Sequence, residues 1–273
     1  MRRWIAGKTG LGAVLLLSGL LALGACAPSA GVSGNTSSST SGTSTGSSSQ
    51  AVQILQRVKA ADLQHAQVQT QQRFHSNSGT TTANSTGQIQ LKPTFAGQFR
   101  TTSNIGGQQM LTREILTGKT IYIQPNGQTT WYAISTNRAR NNVSTSAGNT
   151  SISGGQLPNS WLQNFTSLTN VRIVSDSEMV NGHETYHLRG TAAWSGSASA
   201  SATSTGVSTN EQNLTYTEDL WVGKSTYQPY KMTISANING GKLDTTTTFS
   251  NWNSSNFTPI APPPASDVQF INR

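Results

Sequence analysis

Most of this chain alternates apolar and polar residues with a period of two, and that pattern restricts it to sheet. Tyr230, Met232, Ile234, Ala236 and Ile238 alternate strictly with Lys231, Thr233, Ser235 and Asn237. Successive side chains of a strand point to opposite faces, so this stretch is a strand with one apolar and one wet face. Tyr186, Leu188, Ala192 and Trp194 form a second such row against Thr185, His187, Arg189 and Thr191, and Leu214, Tyr216, Leu220 and Val222 a third. Upstream, Ala66, Val68 and Phe74 alternate with polar residues before the turn residues Ser76-Asn77-Ser78-Gly79. Strands are then predicted near residues 85–92, 95–104, 108–117, 120–124 and 129–135, separated by Pro93, Gly106-Gly107, Gly118 and Pro125-Asn126-Gly127. Short connectors of this chemistry join antiparallel neighbours. A second run of strands begins at Val171, and the last spans residues 243–252. About ten strands of this kind make a large antiparallel sheet that is wet on one side, although two packed sheets would also satisfy the alternation.

Two segments change to helical spacing. Ala51, Ile54, Leu55, Val58 and Ala61 recur at intervals of three and four within residues 50–63. Pro158, Asn159 and Ser160 introduce a second set, Trp161, Leu162, Phe165 and Leu168. Each amphipathic helix needs an apolar surface to lie on, and the sheet's apolar face supplies one. Ser and Thr make up roughly 27% of the chain, a composition that disfavours a mainly helical protein. Residues 138–156 and 195–212 lose all periodicity and read as long polar loops. The expected class is α+β, mainly β.

The N-terminus carries an export address. Arg2, Arg3 and Lys8 precede an uncharged run from Leu11 to Leu23 that is too short for a stable bilayer span, which needs about 20 residues. Leu23-Gly24-Ala25-Cys26 follows and resembles the bacterial lipobox, in which the cysteine is acylated and becomes the new N-terminus. Cys26 is the only cysteine, which excludes an internal disulfide and a Cys-rich zinc site. The expected organisation is a lipoprotein signal peptide over residues 1–25, a Ser/Thr/Gly-rich tether over 26–49, a folded domain over 50–260 and a Pro-containing tail over 261–273. Loss of the signal lowers the formal charge from +8 to +5, dispersed without any basic cluster or aromatic-basic stripe, so nucleic acid is not an expected partner.

His183-Glu184-Thr185-Tyr186-His187 matches the H-E-x-x-H zinc motif, which works by placing two histidines one helical turn apart. Here it follows an Asn181-Gly182 turn and alternates as a strand, where positions four apart lie about 13 Å from each other. Both histidines are expected as surface residues of the polar face. His65 and His75 are expected to be exposed or to flank turns. Glu218-Asp219 cannot act as a catalytic pair, because adjacent strand residues face opposite ways. No G-x-S-x-G or phosphate-binding glycine loop occurs, and neither an enzyme nor a cofactor or metal is expected. Of the tryptophans, Trp161 and Trp194 are expected in the core, and Trp131, Trp221 and Trp252 on rims or outer faces.

Three stretches carry a family resemblance. Residues 180–188, Val-Asn-Gly-His-Glu-Thr-Tyr-His-Leu, look like a turn and returning strand. Residues 219–232, Asp-Leu-Trp-Val-Gly-Lys-Ser-Thr-Tyr-Gln-Pro-Tyr-Lys-Met, look like a "W-V-D … P-x-K" hairpin, with Gly223 where an acidic residue is commoner. The third stretch is the terminal strand from Thr245 to Trp252, followed by an exit at Pro259. Together they resemble the LolA/LolB lipoprotein carriers and, more closely, the LppX and LprG type lipoproteins of actinobacterial envelopes. The resemblance implies a strongly curved half-barrel sheet whose concave face is covered by helices, with a hydrophobic cavity between them that holds acyl chains.

The expected function is therefore a non-catalytic lipid or lipoprotein carrier, a monomer anchored through Cys26 to the extracytoplasmic face of a membrane. The alternative is a surface sensory or protein-interaction module with a packed core. Strand parity nominates Phe99, Tyr186, Leu188, Leu220, Tyr230, Met232 and Ile234 from the sheet to face Leu55, Val58, Trp161 and Phe165 from the helices.

Overall fold

A computed structural model describes residues 45–77, 79–105, 107–135, 168–195, 213–238 and 241–271. One helix, α1 (Thr45–Ala60), is followed by β1 (His65–Ser76), β2 (Gly79–Gln90), β3 (Ala96–Ile105), β4 (Gln108–Thr117), β5 (Thr120–Pro125) and β6 (Trp131–Ser135). The second half holds β7 (Thr169–Val180), β8 (His183–Ser195), β9 (Asn213–Gly223), β10 (Pro229–Ile238), β11 (Gly241–Ser250) and β12 (Val268–Phe270).

All twelve strands belong to one open, curled sheet in the order β12-β6-β5-β4-β3-β2-β1-β11-β10-β9-β8-β7. The single sheet decides against the two-sheet alternative. Its topology is two meanders laid back to back: β1 to β6 run outward one way, β11 back to β7 the other, and β1 pairs antiparallel with β11 at the centre. The hairpin signals mark their turns well. Asn181 and Gly182 adopt φ of 51° and 81°, the doubly left-handed backbone that a two-residue hairpin requires.

Helix α1 begins five residues before the predicted Gln50. It buries Ala51, Ile54, Leu55 and Val58 and lies against β7. Arg57 and Lys59 occupy its last turn, where cations favour the helix dipole. Arg57 donates to the Tyr227 hydroxyl, and its guanidinium lies 5.0 Å from the Tyr227 ring centre. The predicted second helix, with Trp161 and Phe165, lies outside the described residues, as do Cys26 and the expected signal and most of the tether.

The C-terminal residues are not simply a tail. After β11 the chain is tied to the start of β1, with the Asn253 backbone N–H donating to the His65 carbonyl at 3.0 Å and the Gln64 N–H to the Asn253 side chain at 2.9 Å. Pro263 is buried, and residues 268–270 pair in parallel with β6 as β12. His65 is held in this closure, half-buried, stacked on Phe257 at 4.0 Å and bonded through Nε2 to the Ser254 carbonyl at 2.9 Å. His75 is exposed and bonds Thr80 across the β1-β2 hairpin, as its turn-flanking position implies.

Candidate functional site

The inner face is the one whose apolar residues pack with those of α1. Leu55, Val58, Phe99, Leu188, Leu220, Met232 and Ile234 join a single buried apolar cluster there, and Tyr186 packs half-buried against it. Register explains the meeting: Leu188 pairs with Leu220, Leu220 with Met232, and Ile234 lies one inward position further along β10. Trp252, at the end of the sheet, donates its indole N–H to the Pro229 carbonyl at 2.7 Å and tilts against Phe249.

Tyr230 departs from the expected row. The β9-β10 register shifts between Pro229 and Lys231, and this bulge breaks the alternation. The Tyr230 ring stacks on His183 at 4.1 Å and covers the outer side of Gly223, where a Cβ would come within 2.7 Å of the ring. Tyr230 is buried, but on the opposite face from the cluster. The glycine at position 223 thereby gains a physical reason: the tyrosine occupies the space a side chain would need.

The inner face also carries polar residues that the apolar rows did not reveal. Thr247, Thr70, Ser85, Thr101 and Thr112 are register partners in sequence across β11, β1, β2, β3 and β4, and all five are buried. Their hydroxyls pair within the band, Thr70 with Thr247 at 3.2 Å and Thr101 with Ser85 at 3.1 Å. One inward position further along, Gln72 pairs with Thr245, Thr245 with Ile234, and Ile234 with Glu218. Glu218 is fully buried, and burial followed by the neighbouring Asp219 charge pushes its carboxyl up to about 8. Parity held this signal: residue 218 falls between Tyr216 and Leu220 in an otherwise apolar row.

On the outer face His187 is buried, contrary to the expected surface position. It lies flat on Trp221 at 4.2 Å, with Nδ1 2.9 Å from Glu178 Oε1 and Nε2 2.8 Å from Asp219 Oδ1. Arg189 Nε donates to Asp219 at 2.7 Å, and the Trp221 indole N–H donates to Glu178 Oε2 at 2.7 Å. The Trp221 bond lowers the Glu178 carboxyl, outweighing burial. Burial opposes ionisation of Asp219, but its bonds from Arg189 and His187 prevail and hold it below the usual carboxylate range. Lys231 lies 4.3 Å over the Trp221 ring. The H-E-x-x-H residues thus sit on a strand, as expected. His187 serves a network that braces β7, β8 and β9. Trp221 is on the outer face as anticipated, whereas the side chains of Trp194 and Trp161 lie outside the described residues.

No family model and no curated protein matches the chain. Solved structures do. LprF from Mycobacterium bovis is similar at 18% identity and a TM-score of 0.45, covering 80% of this chain and 98% of that one. The Pseudomonas aeruginosa MucA/MucB complex gives 14% identity and a TM-score of 0.33 over 76% of this chain and 59% of that one. A LolA superfamily protein from Nitrosomonas europaea gives 13% and 0.24, covering 73% and 91%. Of these three, the Nitrosomonas europaea protein bears the LolA superfamily name that the sequence resemblance also invokes.

Proposed function

We propose that this protein binds acyl chains or lipids on the inner face of its sheet, as a non-catalytic carrier anchored to the cell envelope through Cys26. The supporting observation is the continuity of the inner face: one apolar cluster runs from Phe99 of β3 to Val171 of β7 across the curled sheet, and residues of α1 pack into it. Bound acyl chains would gain about 25 cal/mol per Å² of surface removed from water.

The test uses the full chain carrying Cys26→Ala and a fluorescent fatty acid. Ile234→Trp and Ala236→Trp, both on the inward row, are expected to reduce uptake while circular dichroism stays native. Gln71→Trp on the exposed outer side of β1 is expected to bind as the parent does. Unfolding by both inward substitutions, with no uptake by the parent, is the behaviour of a packed core and would establish the interaction-module reading instead.

A further inference from the structure

Three neighbouring inner-face residues hold polar atoms that are buried and without hydrogen-bond partners among the described residues: Gln72 Nε2, Thr245 Oγ1 and both oxygens of Glu218. Burying such groups unpaired costs about 1–3 kcal/mol each, so one isolated case is a defect and three together call for an explanation. They are not scattered. Gln72, Thr245 and Glu218 occupy one cross-strand row over β1, β11 and β9, interrupted only by Ile234 of β10. Adjacent strands are about 4.8 Å apart, which places the three within about 15 Å on the same side of the sheet. The parallel band beside them behaves differently, since Thr70, Thr247, Ser85 and Thr101 satisfy one another.

From this we infer that the row formed by Gln72, Thr245 and Glu218 is a polar subsite within the lipid-binding face, built to take an uncharged, hydroxyl-bearing group of an amphiphile. The inference rests on the proposed binding function and specifies its ligand. The donor and acceptor inventory sets the chemistry. Gln72 offers an amide donor and Thr245 a hydroxyl that both donates and accepts. Glu218 remains protonated at neutral pH in its buried position, so it too donates from one oxygen and accepts at the other. Ligand hydroxyls match all three because they likewise do both. A bare alkyl chain would leave the row unsatisfied. A cationic headgroup would have to ionise a carboxyl that burial keeps neutral, and an anionic one meets no cation in the row.

The experiment is competition against the fluorescent fatty acid by three probes of equal chain length: 1-monomyristoylglycerol, methyl myristate and tetradecylamine. The monoacylglycerol is expected to bind about tenfold tighter than the methyl ester, the scale of one or two buried hydrogen bonds. Glu218→Leu is expected to fold at least as stably as the parent and to lose that preference, while Glu218→Gln keeps it. Equal binding of ester and monoacylglycerol by the parent, a preference that survives Glu218→Leu, or tightest binding by the amine would each overturn the subsite while leaving acyl-chain binding intact. Failure of the parent to bind the fluorescent fatty acid at all would overturn both readings together.

Discussion

Glu218 and Asp219 are consecutive in β9, yet their carboxyls lie on opposite faces of the sheet and are pushed in opposite directions. Glu218 is sealed on the inner face, where burial and then the Asp219 charge raise it to about 8. On the outer face, hydrogen bonds from Arg189 and His187 outweigh the burial of Asp219 and hold it low. Backbone alternation alone creates the difference.

A pH dependence of stability follows from Glu218. The unfolded chain releases this proton near 4.5, while the folded chain keeps it to about 8. Between these values the folded state binds more protons, so the contribution is complete below 4.5 and is lost as pH rises toward 8. Urea unfolding at a series of pH values is expected to show this decline, with a slope of up to about 1.4 kcal/mol per pH unit. Glu218→Gln is expected to flatten it, and an identical slope in the variant would refute the assignment.

The outer network predicts a separate acid limb. Glu178 and Asp219 are both held low, so their stabilisation is present above the unfolded carboxylate range and disappears as pH falls below it. His187→Ala leaves two carboxylates short of a partner and is expected to cost about 1–3 kcal/mol, well beyond a typical surface substitution. Bound zinc is not expected to change when His183 and His187 are replaced together. A loss under about 0.5 kcal/mol would return His187 to the surface role its parity suggested.

How far the sequence reached depended on whether a feature was periodic or relational. Strands such as β4 were legible to the residue because alternation and glycine turns are local. The burial of His187 was not, because it depends on Glu178, Asp219 and Trp221 arriving from neighbouring strands. Tyr230 was misplaced by counting in twos through a bulge, an extra residue that only pairing with β9 discloses. Glu218 was legible in principle, since its position in an apolar row already placed it inside. β12 was hidden because three residues after a proline run carry no period of their own.

The bulge can be tested through Gly223. An added Cβ would come within 2.7 Å of both the Tyr230 ring and Thr226 Oγ1, so Gly223→Ala is expected to destabilise the fold by about 1–3 kcal/mol through overpacking. In a Tyr230→Ala background the same change should cost less, because the ring has gone and only the Thr226 contact remains. Denaturant midpoints of the four proteins give the coupling directly. Additive costs would mean that Tyr230 does not rest on Gly223.

The anchor makes the remaining prediction. Each buried acyl CH₂ contributes about 0.8 kcal/mol, and one chain alone holds a protein on a membrane only marginally, so the proposed anchor requires two or three acyl chains on Cys26. Cys26→Ala is expected to leave an unprocessed chain of precursor mass, without acyl groups, that the membrane fraction retains more weakly than the wild type. Intact-mass measurement of wild-type protein extracted from native membranes checks the same point. Wild-type chains found there unacylated and still beginning at Met1 would rule out Cys26 as the anchor.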